Sequence, residues 1–115
     1  MKAFMFVNEA AKRDFLALPT VVKQQFGADL NAVQQDAQPF SAFKHLTKSV
    51  GIGAVELIEN GSPAFRAVYC AKFGNTVYVL HAFTKITNGV DQKAMKTARQ
   101  RYKEMKSLIA EENKT

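Results

Sequence analysis

The 115-residue sequence contains a single cysteine and has no long apolar run. Cys70 cannot form an intrachain disulfide, which indicates a reducing compartment, and its apolar neighbours favour a small buried side chain over a nucleophile. The N-terminal segment turns polar too early for a secretory signal, and no stretch is apolar for long enough to span a bilayer. We therefore expect a soluble cytoplasmic protein without membrane contact.

Residues and motifs of metal and cofactor chemistry are scarce as well. The two histidines, His45 and His81, do not lie at a ligand spacing from Cys70 or from a pair of carboxylates. The chain has no G-x-S-x-G, P-loop or C-x-x-C motif. Glu56 and Glu59 lie three residues apart on a predicted strand and so face opposite sides, which argues against a paired acid and base. We expect no cofactor and no metal.

Acidic residues are in the minority. The 10 Asp and Glu residues stand against 16 Lys and Arg, giving a formal charge of +6 and a pI near 9.6. This balance favours a polyanionic partner such as nucleic acid, although an acidic protein would suit it too. With 47% apolar residues, the length suits one domain with one core, residues 1–115.

The N-terminal third predicts a short strand followed by a helical hairpin. The strand covers Lys2–Val7, and Asn8 is a suitable N-cap for a helix that begins near Glu9. Pro19 marks a break before a second helix over Thr20–Gln35. Apolar residues recur there at steps of four, four and three, which predicts one buried face: Val22, Phe26, Leu30 and Val33.

Three strands are predicted in the middle of the chain, over Ala54–Glu59, Ala64–Phe73 and Thr76–Thr84. The short turn signals "NGSP" and "GN" between them predict antiparallel hairpins. Alternation divides the last strand into two mostly apolar sets, which indicates a central strand covered on both faces. The sets are Val77, Val79, His81 and Phe83 on one side, and Tyr78, Leu80 and Ala82 on the other.

The rest of the sequence predicts a loop and a last helix. Residues 36–53 contain Pro39, Gly51 and Gly53 and show no periodicity, so we predict an irregular connection. The helix runs from Asp91 towards Glu111. Its predicted inner stripe is Met95, Ala98, Tyr102, Met105 and Ile109, and a basic stripe follows Lys96, Arg99, Lys103 and Lys106. That basic stripe suits a solvated face or a nucleic-acid contact.

The remaining candidate functional residues are mostly cationic. Arg66 lies among apolar residues, where it suits either a salt bridge to Glu56 on the adjacent strand or a clamp on phosphate. His81 suits either a neutral core histidine or an acid/base group. Lys85, which follows the apolar strand, is either solvated or held at the strand exit for chemistry, and Lys44 and Lys48 lie in the predicted loop.

The order of these pieces resembles the RelE/ParE superfamily of bacterial toxins, and more narrowly its HigB-like, phage-related branch. The residues that carry the resemblance are "VEL" at 55–57, "FRAVY" at 65–69, "VYVLHAFTK" at 77–85, and Ala98, Arg101 and Tyr102 of the last helix. The resemblance implies an α+β fold in which an antiparallel sheet of about four strands packs against an N-terminal helical hairpin and a C-terminal helix.

The resemblance also implies a function. It points to the toxin of a type II toxin–antitoxin system, a metal-independent endoribonuclease that cleaves messenger RNA on the ribosome and arrests translation. It assigns catalysis to Arg66, Lys85 and Lys44, with His81 as an acid/base or orienting group and Lys48 and Arg101 as RNA contacts. The implied partner is a cognate antitoxin with a helix-turn-helix domain.

Two positions depart from the family pattern, and two other functions stay open. Many relatives carry cations where this chain has Ile58 and Ile86, so two cationic contacts are missing. One alternative is inhibition of DNA gyrase, the action of the ParE side of the superfamily, against which the Arg66 and Lys85 pair argues. The other is a non-catalytic module that binds nucleic acid or protein through its basic surface.

Overall fold

The structure of the chain is a computed structural model that describes residues 1–114, so Thr115 of the predicted domain lies outside the described residues. The five strands within this range are β1 (Ala3–Phe6), β2 (Ala42–His45), β3 (Ala54–Glu59), β4 (Ala64–Cys70) and β5 (Thr76–Lys85). The three helices are α1 (Glu9–Leu16), α2 (Thr20–Gln34) and α3 (Gln92–Glu112). The α+β class is confirmed.

The strands form one open sheet in the order β1-β5-β4-β3-β2. The antiparallel hairpins β3–β4 and β4–β5 agree with the turn signals. The sheet differs from the predicted one because it is mixed: β1 pairs with β5 in parallel, with Ala3 opposite Thr76 and Phe6 opposite Val79. A parallel pair needs a long crossover, which here contains α1, α2 and β2 to β4.

Helices cover both faces of the sheet. On one face, α1 and α2 pack over a cluster that includes Phe26, Leu57 and Val77, each with no exposed surface. On the other face, α3 packs over a second cluster that includes Val68, Leu80 and Met105. The predicted α3 stripe is confirmed, since Met95, Ala98 and Met105 are buried, and Tyr102 and Ile109 pack against this cluster. Burial on both faces of β5 is therefore confirmed.

Local signals fix where the helices begin. The Asn8 side chain accepts a hydrogen bond of 2.7 Å from the Ala11 amide, and Asp91 accepts one of 3.0 Å from the Ala94 amide. Both side chains satisfy an amide that has no partner inside the helix. Among residues 1–114, no helix is both long enough and apolar enough to cross a membrane.

The prediction of an irregular connection over residues 36–53 is wrong in part, because β2 lies within it. Lys44 of this edge strand is opposite Glu56 of β3, so the hydrogen bonds of β2 come from a distant segment. The strand entry is fixed by Asp29, a fully buried residue of α2, which accepts from the Phe40 and Ser41 amides at 2.8 and 2.9 Å. A four-residue strand held in this way has too short a pattern to be recognised.

The predicted alternation of β5 is also wrong, because a β-bulge interrupts the strand. Val79 is opposite Tyr69 and His81 is opposite Val68, so Leu80 is an extra residue on β5. An extra residue reverses the alternation beyond it. Val77, Val79 and Ala82 therefore pack towards α1 and α2, whereas Tyr78, Leu80 and Phe83 pack towards α3. The bulge thus places Phe83 and Lys85 on the α3 face of the sheet.

Candidate catalytic cleft

A row of facing residues crosses the α3 side of the sheet near the start of α3. Lys44 of β2 is opposite Glu56 of β3, Glu56 is opposite Val68 of β4, and Val68 is opposite His81 of β5. Residues opposite one another in antiparallel strands share a face and lie close together. Polar residues from three strands therefore meet on a face whose other residues are largely apolar.

The neighbouring row brings in Arg66. It lies opposite Ile58 of β3 and Phe83 of β5, and Lys85 lies two residues further along β5, opposite Ala64. Arg66 and Lys85 are therefore diagonal neighbours on one face, within reach of long side chains. The exit of β5, where Lys85 lies, is therefore close to Arg66.

Glu56 lies between two cations. Its Oε1 atom is 3.6 Å from the Lys44 ammonium and 3.7 Å from Arg66 Nε. Glu56 is 4% exposed and Arg66 is 8% exposed. Of the two alternatives for Arg66, the salt bridge to Glu56 is therefore present, and each buried charge has an opposite charge beside it.

The Arg66 guanidinium is also anchored by hydrogen bonds. Nη1 donates to the Phe65 and Glu59 carbonyl oxygens at 2.9 and 3.3 Å, and Nη2 donates to Asn60 Oδ1 at 3.0 Å. These partners belong to the end of β3, the turn after it and the start of β4. Because the planar fork is held at several points, the charge is fixed in position and orientation.

Lys85 is held by the loop that connects β5 to α3. Its ammonium donates to the carbonyl oxygen of Thr87 at 2.7 Å and to that of Gly89. Two aliphatic side chains of the same loop face solvent, since Ile86 is 83% exposed and Val90 is 59% exposed. The positive charge at the strand exit therefore has an apolar rim.

The charged residues surround a small cleft of about 70 Å³ at the start of α3. Its lining includes Lys44, Glu56, Phe83, Lys85 and Asp91. A wider depression of about 390 Å³ adjoins it through Lys85 and is lined also by Arg66 and Asn60. We place the candidate site here rather than in a groove of about 450 Å³ that is lined by Val7 and by Gln100, Lys103 and Leu108 of α3, because the predicted cations meet here.

His81 belongs to a second polar cluster, which lies beside the group formed by Lys44, Glu56 and Arg66. Its Nδ1 atom is 3.2 Å from Asp14 Oδ2 of α1 and 3.2 Å from Arg101 Nη1 of α3. Arg101 Nη1 also donates to Asp14 at 2.7 Å and to the Leu80 carbonyl at 3.1 Å. Burial and the Arg101 charge lower the pKa of His81, and Asp14 opposes them in part. The ring is stacked on Phe83 at 4.9 Å between centroids.

The predicted site residues are therefore divided between places. Lys44, Arg66 and Lys85 meet around the cleft and the depression, and His81 lies one cross-strand row away. Arg101 is used in the cluster with Asp14, whereas Lys48 is exposed in the turn after β2. Ile58 lies opposite Arg66, and the exposed Ile86 lies next to Lys85, so both departures from the family pattern border the site.

Glu56 and Asp14 are site residues that the sequence does not predict. The sequence indicates Glu56 only as a partner of Arg66 or of Glu59, because its pairing with Lys44 depends on β2, a strand whose pattern is too short to recognise. Asp14 is one of several charged residues on a short helix, and nothing in its spacing indicates a contact with His81. Among residues 1–114, no group of three histidine, cysteine or carboxylate side chains is arranged to hold a metal ion.

A comparison with curated proteins gives no match. A comparison with protein families matches residues 13–103 to the phage-derived Gp49-like family (DUF891). The match covers most of the chain, including all four strands and the part of α3 that form the cleft and the polar cluster. The chain therefore belongs to the phage-derived Gp49-like family, which is a family of RelE/HigB-like toxins.

Proposed function

We propose that this chain is the toxin of a type II toxin–antitoxin system and cleaves messenger RNA on the ribosome without a metal. The observation that carries the proposal is the convergence of Lys44, Arg66 and Lys85 around the cleft and the depression that adjoins it, on a single sheet face. Three cations from three strands give a rigid positive site at the molecular surface, where an RNA phosphate has access.

The chemistry requires cations rather than a cofactor. When a ribose 2′-hydroxyl attacks the adjacent phosphate, negative charge develops on the phosphoryl oxygens and on the departing 5′-oxygen. Fixed hydrogen-bond donors stabilise such charge, and each well-placed donor is worth about 3 kcal/mol in the transition state. The ribosome supplies the orientation of the messenger RNA, which lowers the entropic part of the barrier.

Each cation has a role in this proposal. Arg66 binds the phosphoryl oxygens through Nη2, where a phosphate oxygen replaces the Asn60 amide oxygen on the wall of the depression. Lys85 donates a proton to the leaving 5′-oxygen, and Lys44 adds positive charge from the opposite side of the cleft. His81 orients Phe83 by stacking, and Lys48 and Arg101 contribute to the positive field that attracts RNA.

Single-turnover cleavage of messenger RNA on programmed ribosomes, at saturating protein, tests the proposal. Lys85→Ala and Arg66→Ala are each expected to lower the rate by roughly a hundredfold or more, because each removes a donor from the transition state. Lys12→Ala, which removes an exposed lysine on α1, is the matched control and is expected to keep the wild-type rate. Arg66→Lys keeps a cation beside Glu56 but loses the planar fork, so it separates folding from chemistry.

The outcomes distinguish this function from the alternatives. Thermal melting of each variant shows whether a loss of activity comes from unfolding. An Arg66→Lys chain that melts like the wild type and cleaves at the wild-type rate would remove Arg66 from catalysis. Replication arrest without translation arrest in expressing bacteria would indicate gyrase as the target. RNA binding with a strong salt dependence and no cleavage would indicate a binding module.

A further inference from the structure

The Glu56 carboxylate can accept a hydrogen bond in addition to forming its two ion pairs. Its distances to Lys44 and Arg66, 3.6 and 3.7 Å, suit charge pairing but are longer than hydrogen bonds. Both contacts involve Oε1. A carboxylate oxygen accepts hydrogen bonds, so the group can still accept one from a donor that reaches it.

The position of Glu56 allows a donor in the cleft to reach the carboxylate. The residue is 4% exposed, and it lines the cleft together with Lys85 and Phe83. A donor that enters the cleft therefore meets a carboxylate held between two cations. The pairing of β3 with β2 and β4 fixes the position of the group.

We propose that Glu56 is the general base of the cleavage reaction, taking the proton of the ribose 2′-hydroxyl; this inference rests on the proposed function. As the O2′–P bond forms and the P–O5′ bond breaks, the 2′ proton passes to the Glu56 carboxylate and the Lys85 ammonium gives a proton to the 5′-oxygen. The products are a 2′,3′-cyclic phosphate and a 5′-hydroxyl. Solvent then returns both side chains to their starting states, so no further reactant is needed.

The other candidates are less suited to accept the proton. Lys85 donates to the Thr87 and Gly89 carbonyls as an ammonium, which has no lone pair. Arginine stays protonated in proteins. His81 is not among the residues that line the cleft, and its Nδ1 atom faces Asp14 and Arg101. Glu56 combines an accepting oxygen, a fixed position and access to the cleft.

The variant Glu56→Gln tests the inference, because it keeps the size of the side chain and removes the basic oxygen. We expect its single-turnover rate on programmed ribosomes to fall by roughly a hundredfold or more, the usual range for a lost general base. Glu59→Gln is the matched control: it changes the same residue type on the same strand but the opposite face, and its rate is expected to stay at the wild-type value.

The pH–rate profile separates a base from a structural partner. The charged groups that face Glu56 are Lys44, Arg66, Lys85 and Asp91, and all of them are retained in Glu56→Gln. The wild-type rate is expected to fall on the acid side as the carboxylate is protonated, and this acid limb is expected to disappear in Glu56→Gln. A variant with a slow rate but an unchanged acid limb would show that Glu56 only positions Arg66.

Two further outcomes keep the inference falsifiable. If Glu56→Gln does not fold, Glu56→Asp keeps the charge between the cations and shortens its reach; a rate at least tenfold below wild type with the acid limb preserved is then expected. A folded Glu56→Gln, or a folded Glu56→Asp, that cleaves at the wild-type rate overturns the inference alone. Messenger RNA left intact by the wild-type chain overturns the proposed function, and the inference with it.

Discussion

His81 shows how a single residue links the site to the stability of the fold. It lies among Asp14 of α1, Arg101 of α3 and the start of that helix at Asp91, with 12% of its side chain exposed. Burial and Arg101 lower its pKa, so the folded chain holds it in the neutral form more strongly than the unfolded chain does. Protonating it places a second positive charge beside Arg101.

This shift predicts a pH dependence of stability. An unfolded histidine takes up a proton near pH 6.5, whereas folded His81 does so only at lower pH. The free energy of unfolding should therefore be fully present above about pH 6.5 and fall as the pH decreases towards the folded pKa, by at most about 1.4 kcal/mol per pH unit. Urea unfolding between pH 7 and pH 5 measures the slope.

Two variants assign that slope. His81→Asn is expected to flatten it, whatever its effect on absolute stability. His45→Asn, which changes the exposed histidine of β2, is expected to leave it unchanged. A slope that is equally steep in wild type and His81→Asn would show that other groups cause the acid loss of stability.

At the scale of elements, α3 fixes the segment between β2 and β3. Tyr102 donates its hydroxyl hydrogen to the Ile52 carbonyl at 2.7 Å, and Arg99 donates to the Ser49 carbonyl at 3.0 Å. Gly51 lies directly under the Tyr102 ring, where a Cβ atom would stand 2.4 Å from Cζ. Because Ser49 also lines the cleft, these contacts connect the helix to the candidate site.

Gly51→Ala is therefore expected to destabilise the chain by about 1–3 kcal/mol, because the ring has to move and its hydrogen bond to Ile52 is strained. Gly27→Ala is the matched control. Gly27 lies in the interior of α2 with open space at its Cβ position, so alanine there should stabilise the chain by roughly 0.5–1 kcal/mol. Thermal or urea unfolding gives both values, and equal signs for the two would contradict the packing described.

The elements also show which features a single sequence predicts. The start of α1 is predictable because its cap at Asn8 is local, and α2 is predictable because the spacing of its apolar residues is local. The strand β2 was not, since its pairing with β3 and its anchor at Asp29 come from distant residues. Lys44 was accordingly predicted as a site residue but placed in a loop. The position of Glu56 between Lys44 and Arg66 follows from the pairing of that strand with β3 and is not predictable without it.

At the scale of the whole molecule, charge and topology set the conditions for a partner. The chain carries a formal charge of +6, and the edge strands β1 and β2 lie at opposite ends of an open sheet. Complementary charge favours fast and selective association with an acidic segment. Since the family consists of RelE/HigB-like toxins, we propose that an antitoxin with a helix-turn-helix domain binds and neutralises this chain.

We expect the product of a neighbouring gene to co-purify with the chain at a fixed stoichiometric ratio. Expression of the wild-type chain alone should arrest growth, and co-expression of the partner should restore it. Glu56→Gln is the control, because it should be tolerated alone and still bind the partner. A wild-type chain that is harmless alone and retains no neighbouring product would contradict the proposal.

The bulge at Leu80 has a consequence for comparing this chain with its relatives. Position numbers along β5 do not translate into faces of the sheet, because one additional residue separates Val79 from His81 in the register. In an alignment with a relative that lacks the extra residue, a gap placed after Lys85 instead of at Leu80 would match Lys85 to a residue on the helical-hairpin side of the sheet. Relatives with one residue more or fewer in this stretch have to be aligned by the side of the sheet that each residue faces.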